Sequence, residues 1–504
     1  MSSHTLSIES LPVAVIGAGP VGLAAAAQLA ARKMPFLLLE AGPAVGHSIS
    51  SWAHVQLFSP WRYCVDAEAR TLLEETDWTA PDPDALPTGG DLVTRYLTPL
   101  AAHPAIAPHL RTDAPVASIS RALIDKVRSE GREAFPFEVQ LKDGSRVYAR
   151  AVIDATGTWT NANPMGTNGR PARGERDHQE HIAYGIPDVL GSARERYAEK
   201  RVLVVGSGHS AINSVLNLLD LQVQAPETSI IWALRRRQID SVYGGEENDA
   251  LPARGALGQR ARGAVESGAL DVLAPFRIER VGHLDDGRLE VTGQLDTGTH
   301  SVVVDQVIVA TGFRPDLDML RELRLGLDPA LESTQALGPL IDPNLHSCGT
   351  VPPHGYRELS HPEPNFFVIG SKSYGRAPTF LMATGFEQAR SVIAFLDGDL
   401  EAAAKVELVL PETGVCGAPS DDGTSCCTPA AAPARSWSNL ELIPMASADA
   451  CCGGPAADGV DACCVADAEA KALGETGCGC ETRRATNATS ALLAGLDRGS
   501  TTLL

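Results

Sequence analysis

The stretch Val13-Ala14-Val15-Ile16-Gly17-Ala18-Gly19-Pro20-Val21-Gly22 decides the fold of this chain. Residues 12–16 read as a short buried strand, the glycines as a turn, and the alanine-rich run 23–31 as a helix. Gly17 permits the tight turn. Gly19 lets a pyrophosphate approach the backbone, and Gly22 lets helix and strand pack closely, with Pro20 inside the same turn. An anion placed there meets free N–H groups and the positive end of a helix dipole. The next strand, 36–39, ends at Glu40, the place of an acid that binds ribose hydroxyls. Residues 13–31 carry no charge, but the glycine and proline pattern reads neither as a membrane span nor as a secretion signal.

A second unit repeats the pattern. Strand 201–205 runs into Gly206-Ser207-Gly208-His209-Ser210-Ala211, with Ala211 in the third glycine position. The following strand, 229–234, ends in Arg235-Arg236-Arg237, where an NAD site would show an acid. Arginines there suit a 2′-phosphate through charge-assisted bidentate bonds, so the expected dinucleotide is NADPH. Two more strands, 152–154 and 307–309, both lead into Ala-Thr-Gly, at Thr156-Gly157 and Thr311-Gly312. That repeat fits two crossings of the chain between nucleotide domains. A third short strand, 366–369, ends at Gly370 and precedes a helix near 384–388.

Strand and helix alternating at this spacing predict an α/β fold of two interleaved Rossmann-like dinucleotide-binding domains. The first would comprise 1–165 and 305–410, and the second 166–304. A chain of 504 residues is too long for one core, which agrees. From 411 to 504 the composition shifts to Ala, Gly, Ser, Thr, Asp and Cys, too poor in apolar residues to offset ordering entropy. Nine of the 11 cysteines fall there: Cys416, Cys426, Cys427, Cys451, Cys452, Cys463, Cys464, Cys478 and Cys480. No histidine lies in that tail, so thiolates would be the main ligands for any metal, and thiolates favour soft ions. Clustered cysteines in a cytoplasmic chain read as ligands or redox groups rather than disulfides. The net charge of −20 argues against nucleic-acid and anionic-membrane partners. The oligomeric state, a dimer included, stays open.

On these motifs the chain resembles the two-dinucleotide-binding flavoproteins, and within them the flavin-containing monooxygenases, over residues 11–397. The resemblance implies FAD at Gly17, Gly19, Pro20, Gly22 and Glu40, and NADPH at Gly206, Gly208, His209, Ser210 and Ala211. It adds Trp52, Thr156, Gly157, Thr311, Gly312 and Gly370 around the cofactors. It also implies that the reduced flavin meets dioxygen and forms a C4a-hydroperoxide that oxygenates a soft nucleophile. The segment from Trp52 to Tyr63 would run along the flavin ring, which makes Ser59 and Trp61 the candidate catalytic residues. This chain departs from the family's pattern twice. Phe-x-Gly-x-x-x-His becomes Ala172-x-Gly174-x-x-x-His178, and Ser59 stands for the family's asparagine. The core has no Cys-x-x-Cys or Cys-x4-Cys, unlike thioredoxin and mercuric reductases.

Core and tail together look most like the flavoprotein monooxygenases encoded in bacterial arsenic-resistance operons. Cysteine trios such as Cys416 with Cys426-Cys427 would meet trivalent arsenic in a three-coordinate site. The leading expectation is an NADPH-dependent FAD monooxygenase, taking a small molecule or a metalloid and dioxygen. Two alternatives stand beside it: an NADPH-driven reductase relaying electrons through the tail cysteines, and a metalloid-binding, chaperone-like protein.

Overall fold

The computed structural model describes residues 8–244, 252–345, 351–378 and 380–408. The expectations for 411–504 and its nine cysteines therefore lie outside the described residues. The α/β fold is as expected: two five-stranded parallel sheets, each with a helix leaving the end of its central strand. In the first sheet the strand order is Phe366–Val368, Ala151–Asp154, Val13–Ile16, Phe36–Leu39 and Leu110–Arg111. In the second it is Asp271–Leu273, Ser229–Ala233, Arg201–Val205, Gln306–Val309 and Ile182–Tyr184.

Register explains why the central strands read as continuous apolar runs. Val13 pairs with both Phe36 and Ala151, and all four residues of Val13–Ile16 are buried. A strand with a neighbour on each edge, helices on one face and an antiparallel sheet on the other has no polar side to show. The helix Pro20–Ala31 then packs on Met382–Leu396, on Ala67–Glu74 and on the sheet, and Ala24 to Ala27 are fully buried. Small side chains let the backbones come close. The uncharged run at 13–31 is thus one strand and one helix, and among the described residues no helix is long and apolar enough to cross a membrane.

Two antiparallel three-stranded sheets complete the core. One is formed by Val116–Arg121, Phe137–Leu141 and Arg146–Ala149, the other by Arg277–His283, Leu289–Leu295 and Gly298–Val304. The strand Gln306–Val309 pairs with Arg201–Val205 and with Ile182–Tyr184. It belongs to the second sheet, so the return to the first sheet comes after Gly312 and not at 305. Its apolar run carries no mark of which sheet it joins.

A buried carboxylate ties the Val116–Ala149 sheet to the later chain. Glu363 accepts from Arg121 Nε at 2.8 Å, from Arg132 Nη2 at 2.9 Å and Nε at 3.1 Å, and from the Arg324 backbone N–H at 3.1 Å. Burial pushes its carboxyl up, but the hydrogen bonds from Arg132 and Arg121 outweigh that and hold it below its ordinary value. Nearby, burial pushes the His361 ring down from 6.5 to about 4, against the pull of Asp154. The unfolded chain binds that proton more tightly, so the ring's contribution is complete above about pH 6.5 and is lost as pH falls towards 4. The loss amounts to on the order of 3 kcal/mol. Thermal melts from pH 7 to 4 should show a steeper decline for the parent than for His361→Gln; parallel declines would refute the assignment.

Candidate functional site

Both glycine turns are built alike, and each is backed by one of the Ala-Thr-Gly segments. Gly17 has φ +97°, and a Cβ there would lie 2.8 Å from the Ala155 carbonyl oxygen. Gly206 has φ +138°, and its Cβ would lie 2.2 Å from the Ala310 carbonyl oxygen. Only glycine meets both the backbone angle and the close approach. At Gly22 a Cβ would fall 1.9 Å from the Gly17 oxygen. The equivalent Ala211 is fully buried.

The middle glycines differ in kind. A Cβ on Gly19 or Gly208 meets no protein atom within 4 Å. Each is the N-cap of its helix, Pro20–Ala31 or His209–Gln224, and neither helix has a side-chain cap. The helix starts are thus uncapped by side chains and have free space beside them, the arrangement that suits a phosphate. Glu40 accepts from the Ala18 amide at 2.7 Å and from the Gly42 amide at 2.9 Å. Each carboxylate oxygen keeps a further lone pair for a sugar hydroxyl.

The turns meet other expected residues. The Thr156 hydroxyl and amide both donate to Asp154, at 2.7 and 3.1 Å. Gly370, φ +76°, has its amide held by Gln388 Oε1 at 2.8 Å and its Cα face against Val21. Gln388 Nε2 reaches His354 Nε2 and Ser373 Oγ, each at 2.9 Å, so the helix Met382–Leu396 fixes that turn from below. His209 opens its helix with its ring 5.3 Å from Phe58, which brings the second turn to the segment 57–60 of the first sheet's domain. The Ser210 carbonyl accepts from Ser214. Arg235 and Arg236 are exposed, Arg235 touching the Thr167 carbonyl at 3.5 Å, whereas Arg237 pairs with Asp296 at 2.8 Å.

The two crossings form a ribbon. Asn163 N–H donates to Gly312 at 2.9 Å, Arg314 N–H to Asn161 at 3.0 Å, and Thr311 Oγ1 to the Asn163 carbonyl at 2.7 Å. Aromatic rings line this junction: Trp159 lies 4.6 Å from Phe313 and 6.0 Å from Trp52. Trp52, expected beside the flavin, is half-buried against Gly89. Phe313 follows its Ala-Thr-Gly segment directly and Trp159 follows the other after one residue, a signal the sequence contained but did not pair.

One expectation changes. Trp61 is 2% exposed within the apolar core, with the Arg95 guanidinium 5.7 Å from its ring, so it packs and presents no face to a substrate. Ser59 is half-buried and its carbonyl accepts from the Cys64 thiol at 3.4 Å. The altered signature Ala172 to His178 is a folding device. Gly174, φ +81°, abuts the Val281 oxygen, and buried Glu175 accepts from the Met165 and Ala172 amides and from Tyr184.

The chain matches the pyridine nucleotide-disulphide oxidoreductase family over residues 14–335. It belongs to that family. Among curated relatives, the ferredoxin–NADP reductase of Lactiplantibacillus plantarum is 24% identical over 309 residues, covering 61% of this chain and 74% of the relative. The indole-3-pyruvate monooxygenase YUCCA1 of Oryza sativa subsp. japonica is 31% identical over 211 residues, or 40% and 44% of the two chains. The structure of the bacillithiol disulfide reductase Bdr of Bacillus cereus superposes with a TM-score of 0.56 at 16% identity, over 77% of this chain and 99% of that one. At that identity the likeness is one of fold.

Membership makes the chain an NADPH-dependent flavoprotein oxidoreductase, and the residues present fit both cofactors. The Gly17–Gly22 turn with Glu40 fits FAD, and the Gly206–Ala211 turn with Arg235 and Arg236 fits NADPH. A charge-assisted contact contributes about 1.5–3 kcal/mol. Replacing Arg235 and Arg236 together by alanine should raise KM for NADPH at least tenfold and leave KM for NADH nearly unchanged. Equal changes for both nucleotides would remove the arginines from the site.

Proposed function

We propose that this enzyme is an NADPH-dependent FAD monooxygenase of a soft nucleophile, with a thiophilic metalloid such as trivalent arsenic as the substrate class. The observation that supports this most is the state of Cys64, the free cysteine among the described residues. It is buried, and burial pushes its thiol up to about 12. Only a thiolate attacks a disulfide or binds a metal, and burial disfavours that form at Cys64, which makes it a poor electron relay. In this reading dioxygen and the substrate would accept the electrons that the flavin, when bound, would take from NADPH. Trp52, Trp159 and Phe313 give the junction an apolar wall, which limits water at the reacting edge. The likeness to an enzyme named as a monooxygenase supports the same reaction class.

In this proposal the nine tail cysteines collect the metalloid. Soft thiolates at high local density hold trivalent arsenic and must lose protons to do so. A cytoplasmic setting keeps them reduced.

A second proposal has its own support. The signature phenylalanine is replaced by Ala172, and the longer of the two alignments is to a protein named as a ferredoxin–NADP reductase. Such an enzyme would pass electrons to an acceptor without oxygenating it. NADPH oxidation, measured with and without dioxygen against arsenite, methylated arsenite and a disulfide, separates the two. Oxygen-dependent turnover with an oxygenated product supports the monooxygenase. Anaerobic turnover with the disulfide overturns it.

A further inference from the structure

Beneath the first turn lies an ion pair that the cofactor motifs do not include. Lys372 Nζ donates to Asp154 Oδ2 at 2.6 Å and to Thr156 Oγ1 at 3.1 Å, with the two charged side chains 1% and 0% exposed. Asp154 Oδ1 meanwhile accepts from the Thr156 amide and hydroxyl. The carboxylate thus holds one loop with one oxygen and the lysine of another loop with its second. Both loops press on the same turn. Ala155 and Thr156 stand behind Gly17, and Gly370, two residues before Lys372, stands behind Val21. Ser371 Oγ would also lie 3.5 Å from a Cβ on Gly157, so the two loops touch.

Taking two charges out of water is expensive, and a well-packed apolar pair serves stability as well or better. The ion pair instead sets geometry: Lys372 has three N–H donors and fixes Thr156 directly. We propose that Lys372, paired with Asp154, is a positioning residue for the bound flavin dinucleotide. It aims the Thr156-Gly157 and Gly370-Ser371 backbones at the ligand lying over the Gly17–Gly22 turn. This rests on the assignment of FAD to that turn.

The test uses the full chain with its flavin removed and FAD added back, read by quenching of flavin fluorescence. Lys372→Met alone strands the carboxylate, so Asp154→Asn/Lys372→Met is made beside it. The double variant should melt within a few degrees of the parent as apoprotein, yet bind FAD at least tenfold more weakly. Lys372→Arg should recover most of that affinity, because a guanidinium restores the charge and the donors. Parental FAD affinity in the double variant would overturn the proposal, and so would a failure of Lys372→Arg to improve on Lys372→Met. If the parent itself bound no FAD, the assignment of the turn would fall instead.

Discussion

Gly19→Val yields a folded, colourless protein. Its backbone at φ −81° and ψ −173° is extended, which a β-branched residue accepts, and the new side chain meets no protein atom within 4 Å. The valine occupies only the space over the helix start, where a pyrophosphate would sit. Flavin content should fall from about one per chain to nearly none, while circular dichroism and the apoprotein melting temperature stay at parental values. Gly22→Val is the counterpart. Its Cβ would collide with the Gly17 carbonyl oxygen at 1.9 Å, so strand and helix must separate and the protein should be insoluble or strongly destabilised. A yellow Gly19→Val protein would remove FAD from this turn. A stable, yellow Gly22→Val would refute the close packing.

Glu363→Gln destabilises the chain by about 3–5 kcal/mol, a large part of a typical domain's total. The substitution keeps the volume and one acceptor but leaves Arg121 and Arg132, 1% and 3% exposed, without a counter-charge. Denaturant unfolding measures the difference. The exposed pair of Arg321 with Asp318 serves as the control, and Asp318→Asn should be indistinguishable from the parent. Equal effects at the two sites would mean that the Glu363 cluster is solvated in solution.

The cofactor turns were legible because their chemistry is local. Three small residues and an acid or arginines at the next strand end fit within about forty residues, and each has one conformational reason. The fold class followed from the same spacing. Lys372 and Glu363 were not legible, because Lys372 lies 218 residues from Asp154 and Glu363 lies 242 from Arg121. Nothing in the neighbourhood of either end marks the pairing. Trp61 misled for a related reason: an aromatic near a cofactor segment looks the same in sequence whether it faces ligand or core, and only burial separates the cases. The sheet of Gln306–Val309 was misassigned because an apolar strand does not state its neighbours.

The ribbon between the domains has a mechanical side. Ala310 is the wall behind Gly206, and the next residue, Thr311, is bonded to Asn163 across the ribbon. The opposite rail begins at Thr156, which adjoins the wall behind Gly17. The same few residues therefore join the two domains and wall the two glycine turns, so any rotation about this ribbon would disturb both turns together.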